Sequence, residues 1–479
     1  MIGILFGIFI TFFFRWMVQM LQSMSMHLYN TLTRQIEQFT PNDSNNNVSL
    51  YACGLTVYDY THLGHLRKYT LDDVLVRTLR HAGYKVKFVQ NITDVGHLVS
   101  DADEGEDKLE KGAKKYNKSV WDIAKEFEEY FFKSMDSMGN LRPDISCRAT
   151  EHIEAQIALV KKLEEKGFTY KIENDGIYFD TSKLTDYGKL NPQSLGDLKE
   201  GERIGVVAGK KNPTDFALWK FERPGENRQM IWSSPWSERG FPGWHIECSA
   251  MSMQYLGEQI AIHTGGIDHI PVHHTNEIAQ SEAATGKVPF VRYWVHHNHL
   301  QVDGEKMSKS LGNFFTIDDV IERGFNPRAL RLLFLQGHYR DQMNFTWDSL
   351  SAAQKAWERL NRLLQTWGSE QVGLSATGIR FQRTFFTALE DDLKTAQAVA
   401  TVWVMAKSDL PDGEKLTLFK QFDEILQLGF GAESKVEPSD VVRRLITERE
   451  QARNKSDWKL ADALREKLAA LGHRVVDSK

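Results

Sequence analysis

Two histidines three residues apart, His62 and His65 in "HLGH", lie between a strand-like run and a helix-like run. A helix N-terminus offers free backbone N–H groups and positive partial charge, which suits phosphate. Gly64 lets a nucleotide approach the backbone closely, and the imidazoles can donate to phosphate oxygens as charge builds in a transition state. The four residues alone are a weak signal, since histidines this close also meet by chance in loops. Far downstream, "GEKMSKSLGN" from Gly304 to Asn313 is a glycine-flanked loop in which Lys306 and Lys309 bracket Met307 and Ser308. Two lysines at that spacing can grip a triphosphate as mobile point charges. A solvated charged turn would read the same, but beside HLGH the phosphate reading is stronger.

A second set of residues suits a metal. Cys53 precedes HLGH in "LYACGLTVYDYTHLGH", Cys248 lies in "GWHIECSAM", and "HHTNE" supplies His273, His274 and Glu277. In a helix beginning near Pro271, His273 and Glu277 are i, i+4 while His274 and Glu277 are i, i+3, so spacing does not choose between the histidines. Two thiolates, an imidazole and a carboxylate make a zinc set. The competing reading is that the cysteines fill an apolar core, and no Cys-x-x-Cys pair argues otherwise.

These residues need a frame. "VSLYACG" reads as a short strand. "LRKYTLDDVLVRTLRHAG" reads as a helix with Leu71, Val74, Leu75 and Leu79 on one face, and "KVKFVQNIT" as a second strand. This βαβ opening predicts an α/β fold, a Rossmann-like doubly wound parallel sheet. Residues 100–118 read as a charged, solvated loop outside the core. Residues 145–240, rich in turn formers, read as a connective insertion. The chain turns helical after about residue 318, where Trp357, Leu360, Leu364 and Trp367 share a helix face. "GAESKVEPSD" at 431–440 reads as a linker. The predicted division is a 1–26 apolar extension, 27–144 and 241–318 as halves of the catalytic domain around the 145–240 insertion, a 319–434 helical region and a 435–479 C-terminal segment.

Several stretches together resemble the cysteinyl-tRNA synthetases, members of the class I aminoacyl-tRNA synthetases whose signatures are HIGH and KMSKS. They are "YACGLTVYD", "HLGH", "NITDVGHL", "LRPDISCRATEHI", "DFALWK", "PGWHIECSAM", "HHTNEIAQSEAATG" and "GEKMSKSLGNF". The resemblance runs from about Leu28 to the end of the chain. It implies zinc ligands Cys53, Cys248, His273 and Glu277, with the substrate thiol on the metal. It also implies a substrate pocket of Cys53, Thr93 and Trp244, with Asp59 toward the amino group. ATP, entering with Mg2+, would meet Gly54, Thr61, His62, Gly64, His65, Gly265, Gly266, Asp268, Lys306, Met307, Ser308 and Lys309. His62, His65, Lys306 and Lys309 would carry catalysis. The chain departs from the family wording at Thr264, at Thr275 and in "DDLKTAQ" at 391–397. The first two leave ligands intact; the third bears on the shape of the helical bundle.

The activity so implied is ATP-dependent ligation of L-cysteine to tRNA(Cys) through a cysteinyl-adenylate, by a cytoplasmic monomer. Zinc suits the task, because cavity shape separates cysteine from serine poorly while zinc favours thiolate. A ligase joining activated cysteine to a small amine such as an amino-sugar is the alternative, but it would not need residues 355–479. A simple nucleotidyltransferase would need neither the lysine loop nor the zinc set. From Asp440 onward there are ten Lys and Arg against seven Asp and Glu. Arg443, Arg444, Arg449, Arg453 and Trp458 are the expected tRNA-facing residues there.

The bulk composition agrees with a folded chain of several domains: 479 residues, 41% hydrophobic, 26% charged, net charge −5. A net negative charge does not exclude nucleic acid, which needs only a local basic patch. Three scattered cysteines exclude a disulfide framework and point to a reducing compartment. "MIGILFGIFITFFF" is short for a spanning helix, and no positive charge precedes it as in a secretory signal. A misassigned start upstream of Met24 or Met26 is the favoured reading, ahead of a membrane anchor and a buried helix.

Overall fold

The computed structural model describes residues 26–96, 107–191, 208–308, 311–429, 440–455 and 457–470. The apolar N-terminal stretch and residues 431–439 of the expected linker lie outside them. No helix among the described residues is long and apolar enough to cross a membrane.

A hairpin of β1 (His27–Asn30) and β2 (Gln35–Gln38) leads into β3 (Asn47–Ala52). The helix α1 (Leu63–His81) then crosses to β4 (Lys85–Ile92), which lies parallel to β3. The central sheet has the order β11-β10-β3-β4-β5, with β5 (Ile145–Arg148), β10 (Ile260–Gly266) and β11 (Val291–His297), every pair parallel. Strand order reverses between β3 and β10, and ligands of such sheets bind at the carboxyl ends of the strands beside that switch. The expected doubly wound sheet is therefore present. β5 extends it past residue 144, so the sheet takes in the first residues of the stretch read as insertion.

Period-2 alternation gives the two faces of β3 different work. Val48, Leu50 and Ala52 enter a core shared with Leu63, Leu66, Leu71, Val74 and Leu75 of α1. Tyr51 and Cys53 point the other way, into a core with Cys248 and Met251. Cys53 therefore faces the helix α5 (Trp244–Leu256) that carries Cys248.

The β4–β5 crossover contains α2 (Lys108–Tyr116) and α3 (Val120–Met138). The helix α2 corrects the expectation of a solvated loop over 100–118 for the part from residue 107, and 100–106 lie outside the described residues. Asp107 caps it, accepting from Leu109 and Glu110 N–H, and Leu109 and Ala113 are buried. Its charged neighbours hid this i, i+4 pair. A helix α4 (Ile153–Glu165) follows β5. It packs on a four-stranded antiparallel sheet of β6 (Thr169–Ile172), β7 (Gly176–Phe179), β8 (Phe216–Phe221) and β9 (Gly240–Pro242). The helix α6 (Thr275–Thr285) joins β10 to β11.

Beyond β11, β12 (Leu300–Val302) pairs with β13 (Glu305–Lys306) and later with β14 (Met343–Phe345). Between them lie α7 (Ile317–Glu322) and α8 (Pro327–Leu335). The helices α9 (Trp347–Thr366), α10 (Ala376–Glu390), α11 (Thr395–Ala406) and α12 (Asp412–Leu426) complete the helical region. Buried Arg331 of α8 pairs with Asp73 of α1 and donates to Asn140 Oδ1 at 2.6 Å. Arg67 of α1 donates to the carbonyls of Asn298, His338 and Asp341 at 2.7, 2.8 and 2.9 Å. In the divergent 391–397 segment, Asp392 has φ 56° and is fully buried. It accepts from Tyr29 N–H at 2.9 Å and Tyr339 O–H at 2.5 Å, and pairs with Arg340 at 2.7 Å. This segment thus ties the N-terminal hairpin to the bundle. The helices α13 (Asp440–Asn454) and α14 (Trp458–Ala470) form a separate pair closed by Leu445, Ala452, Ala461 and Leu464.

Candidate functional site

The donor atoms of Cys53, Cys248, His273 and Glu277 all lie within 4.8 Å of one another, and all four residues are buried. They arrive from four places at the switch point. Cys53 follows β3, its N–H donating to Thr264 O of β10 at 3.0 Å. Cys248 sits one turn into α5. His273 lies in a single π turn, Ile270–His274, and Glu277 lies in the first turn of α6. His273 Nε2 is 3.0 Å from Glu277 Oε1.

The i, i+3 alternative is also assembled: Cys53, His263, His274 and Glu277 satisfy the same 4.8 Å limit. His274 Nε2 lies 3.2 Å from Cys53 Sγ, its Nδ1 lies 2.7 Å from His296 Nε2, and His263 Nε2 lies 3.0 Å from Glu277 Oε2. Only the first set brings two thiols together, and thiolate-rich donors are what zinc favours. The four groups are also electrostatically coupled. The Cys248 thiol is raised by its hydrogen bond to Cys53 and by burial, and burial also raises Cys53. Burial works against the His273 imidazolium, yet hydrogen bonds to Cys248 and Glu277 carry it up to about 10. Glu277 is held down to about 2, against burial, by His263 and His273. Two crowded thiols with an imidazole and a carboxylate fit a divalent zinc ion.

His62 is the N-cap of α1. Its Nδ1 accepts from Gly64 N–H at 3.1 Å and His65 N–H at 3.3 Å. With Nδ1 accepting, the ring proton sits on Nε2. Burial, and then the neighbouring His62, lower the pKa of His65 well below its usual range, so it is neutral. The chain after the lysine loop returns to this helix end: Leu63 N–H donates to Phe315 O at 2.9 Å, and His62 bridges Thr316. Lys306 is exposed, Met307 and Ser308 are half-buried, and Lys309 lies outside the described residues. Asn313 braces the loop, accepting from Ser308 N–H at 2.7 Å and donating to Lys306 O at 3.2 Å.

The remaining expected residues differ in exposure. Trp244 is half-buried, its ring 4.5 Å from that of His273. Thr93 is buried and accepts from Asn91 Nδ2 at 3.0 Å. Asp59 is half-buried and accepts from Tyr60 N–H at 2.9 Å. Gly54 packs on β4, where an added Cβ would lie 1.5 Å from Asn91 O. Thr61 is fully buried and presents no surface to a ligand. Gly265 lies under His274, and the Asp268 carboxylate folds over Gly266. In the C-terminal pair Trp458 is 61% exposed and Arg444 is exposed, but Arg449 is only 5% exposed, which corrects its place among the surface contacts. The side chain of Arg443 lies outside the described atoms, and Arg453 is half-buried.

Sequence reasoning missed His263, His296 and Asn313. The two histidines occupy strand positions that read as core, and Asn313 stood inside a quoted motif with no role attached.

Residues 39–355 match the family described as tRNA synthetases class I (C) catalytic domain. Residues 437–479 match the cysteinyl-tRNA ligase anticodon binding domain. The cysteine–tRNA ligase 1 of Burkholderia lata is 45% identical over 458 residues, covering 95% of this chain and 96% of that one. The cysteine–tRNA ligase of Treponema denticola is 42% identical over 482 residues, covering 94% and 97%. Among solved structures, a Mycobacterium tuberculosis methionyl-tRNA synthetase bound by methionyl-adenylate covers 80% of this chain and 90% of its own, with TM-score 0.55 at 14% identity. The LeuRS of Agrobacterium radiobacter, in a ternary complex with tRNA and LeuAMS, covers 81% and 84%, with TM-score 0.60 at 11% identity. At those identities the likeness is one of fold. With a catalytic match over most of its length and relatives above 40% identity, the chain belongs to the cysteinyl-tRNA synthetase family of class I aminoacyl-tRNA synthetases.

Proposed function

We propose that this chain joins L-cysteine to tRNA(Cys), using ATP and passing through a cysteinyl-adenylate. The observation that carries the reading is the meeting of the Cys53, Cys248, His273, Glu277 set with the His62–His65 helix end at one switch point. A zinc ion held by those four residues would prefer a thiolate to a hydroxyl and so favour cysteine over serine.

This chain's own residues do the rest. Trp244 and Thr93 wall the small pocket, and Asp59 faces the amino group. ATP enters with Mg2+, its adenosine against Gly265, Gly266 and Asp268. The cysteine carboxylate attacks the α-phosphorus, and pyrophosphate leaves. His62 donates from Nε2 to the phosphate oxygens on which charge develops, and neutral His65 stands beside it. Lys306 and Lys309 reach from the loop to the departing phosphates. A terminal ribose hydroxyl of the tRNA then attacks the adenylate's carbonyl carbon, the bond to phosphate breaks, and AMP leaves.

We assign 27–144 and 241–318 to catalysis around the 145–240 insertion, 319–434 to a helical bundle that contacts the tRNA stem, and 435–479 to the anticodon. The anticodon-domain match supports tRNA over a small amine as acceptor. Arg444 and Trp458 are the exposed candidates for contact. A monomer in the cytoplasm suits a site built from one chain and two thiols that must stay reduced.

The test is cysteine-dependent ATP–pyrophosphate exchange followed by charging of total tRNA. No exchange with cysteine rejects the reading. Exchange without charging supports the amine ligase.

A further inference from the structure

The helix α1 carries a buried charged chain that neither the metal set nor the phosphate motif uses. Lys68 lies one turn beyond His65, on the same face. Its Nζ donates to the main-chain oxygen of Cys53 at 2.7 Å and lies 2.8 Å from Asp72 Oδ2. The other Asp72 oxygen meets His297 Nε2 at 2.8 Å. The side chains of Lys68, Asp72 and His297 are 12%, 1% and 1% exposed. His297 ends β11, in register with Gly266 of β10.

Desolvating an ammonium and a carboxylate is costly, and a surface i, i+4 pair would avoid that cost. Here that cost serves a main-chain oxygen of a metal-set residue. The Cys53–Gly54 corner is held from three sides. Cys53 N–H binds β10, Gly54 N–H donates to Asn91 Oδ1 of β4 at 2.8 Å, and the Cys53 carbonyl binds Lys68. Only the third hold is charged, and only it reaches the helix that bears His65. The Asp72–His297 contact pins the same helix to the strand end beside Gly266.

We propose that Lys68, locked by Asp72 and His297, is a positioning residue that fixes the span between the thiol site and the phosphate site and so selects the amino acid by its sulfur-to-carboxylate length. This rests on the function proposed above. Homocysteine also offers a thiol, so a thiol-preferring site alone does not reject it. An apolar pocket discriminates one methylene by only about 10–200-fold. A fixed span adds to that, because a misplaced carboxylate loses its in-line geometry.

The experiment titrates zinc-loaded full-length protein with three ligands: L-cysteine, Mg·ATP, and a cysteinyl-sulfamoyl adenosine that joins the two halves. Wild type is compared with Lys68→Met and with Lys68→Met/Asp72→Asn, which removes both buried charges should the single variant fold poorly. The expected result is a loss of about tenfold or more for the joined ligand, with cysteine and ATP each within about twofold and zinc content unchanged. The homocysteine-to-cysteine ratio in pyrophosphate exchange should rise by about tenfold. Equal loss for all three ligands, loss of zinc, or an unchanged joined affinity and ratio would overturn the tether. A wild-type protein that binds neither cysteine nor the joined ligand overturns the proposed function, and the tether with it.

Discussion

The rings of His62 and His65 lie face to face, their centroids 3.6 Å apart and their planes 20° from parallel. One imidazolium stacked on another would be repelled, and the lowered pKa of His65 keeps that ring neutral, which leaves His62 Nε2 as the proposed donor. His62→Asn keeps an oxygen to cap the helix but loses that donor. Pyrophosphate exchange should fall about 100- to 1,000-fold, as when one oriented transition-state donor is removed. The melting temperature should hardly move, because Asn is a good N-cap. A large fall in melting temperature would show that His62 serves the helix alone.

Cys248→Ser should leave the fold intact and strip the metal. Elemental analysis should fall from about one zinc per chain to near zero, since a serine hydroxyl ionises too weakly to replace thiolate. Preference for cysteine over serine should disappear with it. A variant that keeps both zinc and selectivity rejects Cys248 as a ligand.

Asn313→Ala should loosen the lysine loop without touching a reactant. It removes the acceptor for Ser308 N–H and the donor to Lys306 O. At about 1 kcal/mol for each hydrogen bond, kcat/KM for ATP should drop roughly 10- to 30-fold. Asn313→Asp keeps the first bond and should recover about half of that loss in free energy.

Asp94 sets a pH dependence of stability. Burial, opposed by hydrogen bonds from Thr150, raises its pKa from 3.8 to about 6. The folded protein therefore holds this proton more tightly than the unfolded chain does. Its contribution to stability is full below about pH 4 and is lost as pH rises through about 6. Asp94→Asn should flatten that decline in denaturant titrations. At pH 7 it should stabilise the fold by up to about 3 kcal/mol. An unchanged pH profile would refute the assignment.

Gly54→Ala should separate β3 from β4 at the metal corner, because its Cβ would fall 1.5 Å from Asn91 O. A loss of about 3 kcal/mol or more is expected by calorimetry, at the upper end for overpacking.

The chemistry was legible wherever residue type carries it. Cys53, Cys248, Lys306 and the HLGH histidines stand out in combination, though each has an ordinary reading when taken alone. What stayed hidden was burial. Lys68 and Asp72 are merely i, i+4 in sequence, and only the folded chain puts a main-chain oxygen and His297 beside them. Leu109 and Ala113 were masked by lysines and glutamates, whose apolar stems tolerate the same helix. The choice between His273 and His274 was undecidable from spacing, and the fold assembles both sets around Cys53 and Glu277.

The clamp made by Arg67 has a consequence for how the molecule is built. Its guanidinium is buried against carbonyls 231 to 274 residues away in sequence. A partly formed protein cannot satisfy it until Asp341 has joined the chain. The helix that follows His62 leaves a ribosome well before Asp341, so it gains its final anchor late. Nascent chains halted before Asp341 should thus hold α1 only loosely, and the phosphate site ripens when the helical region docks.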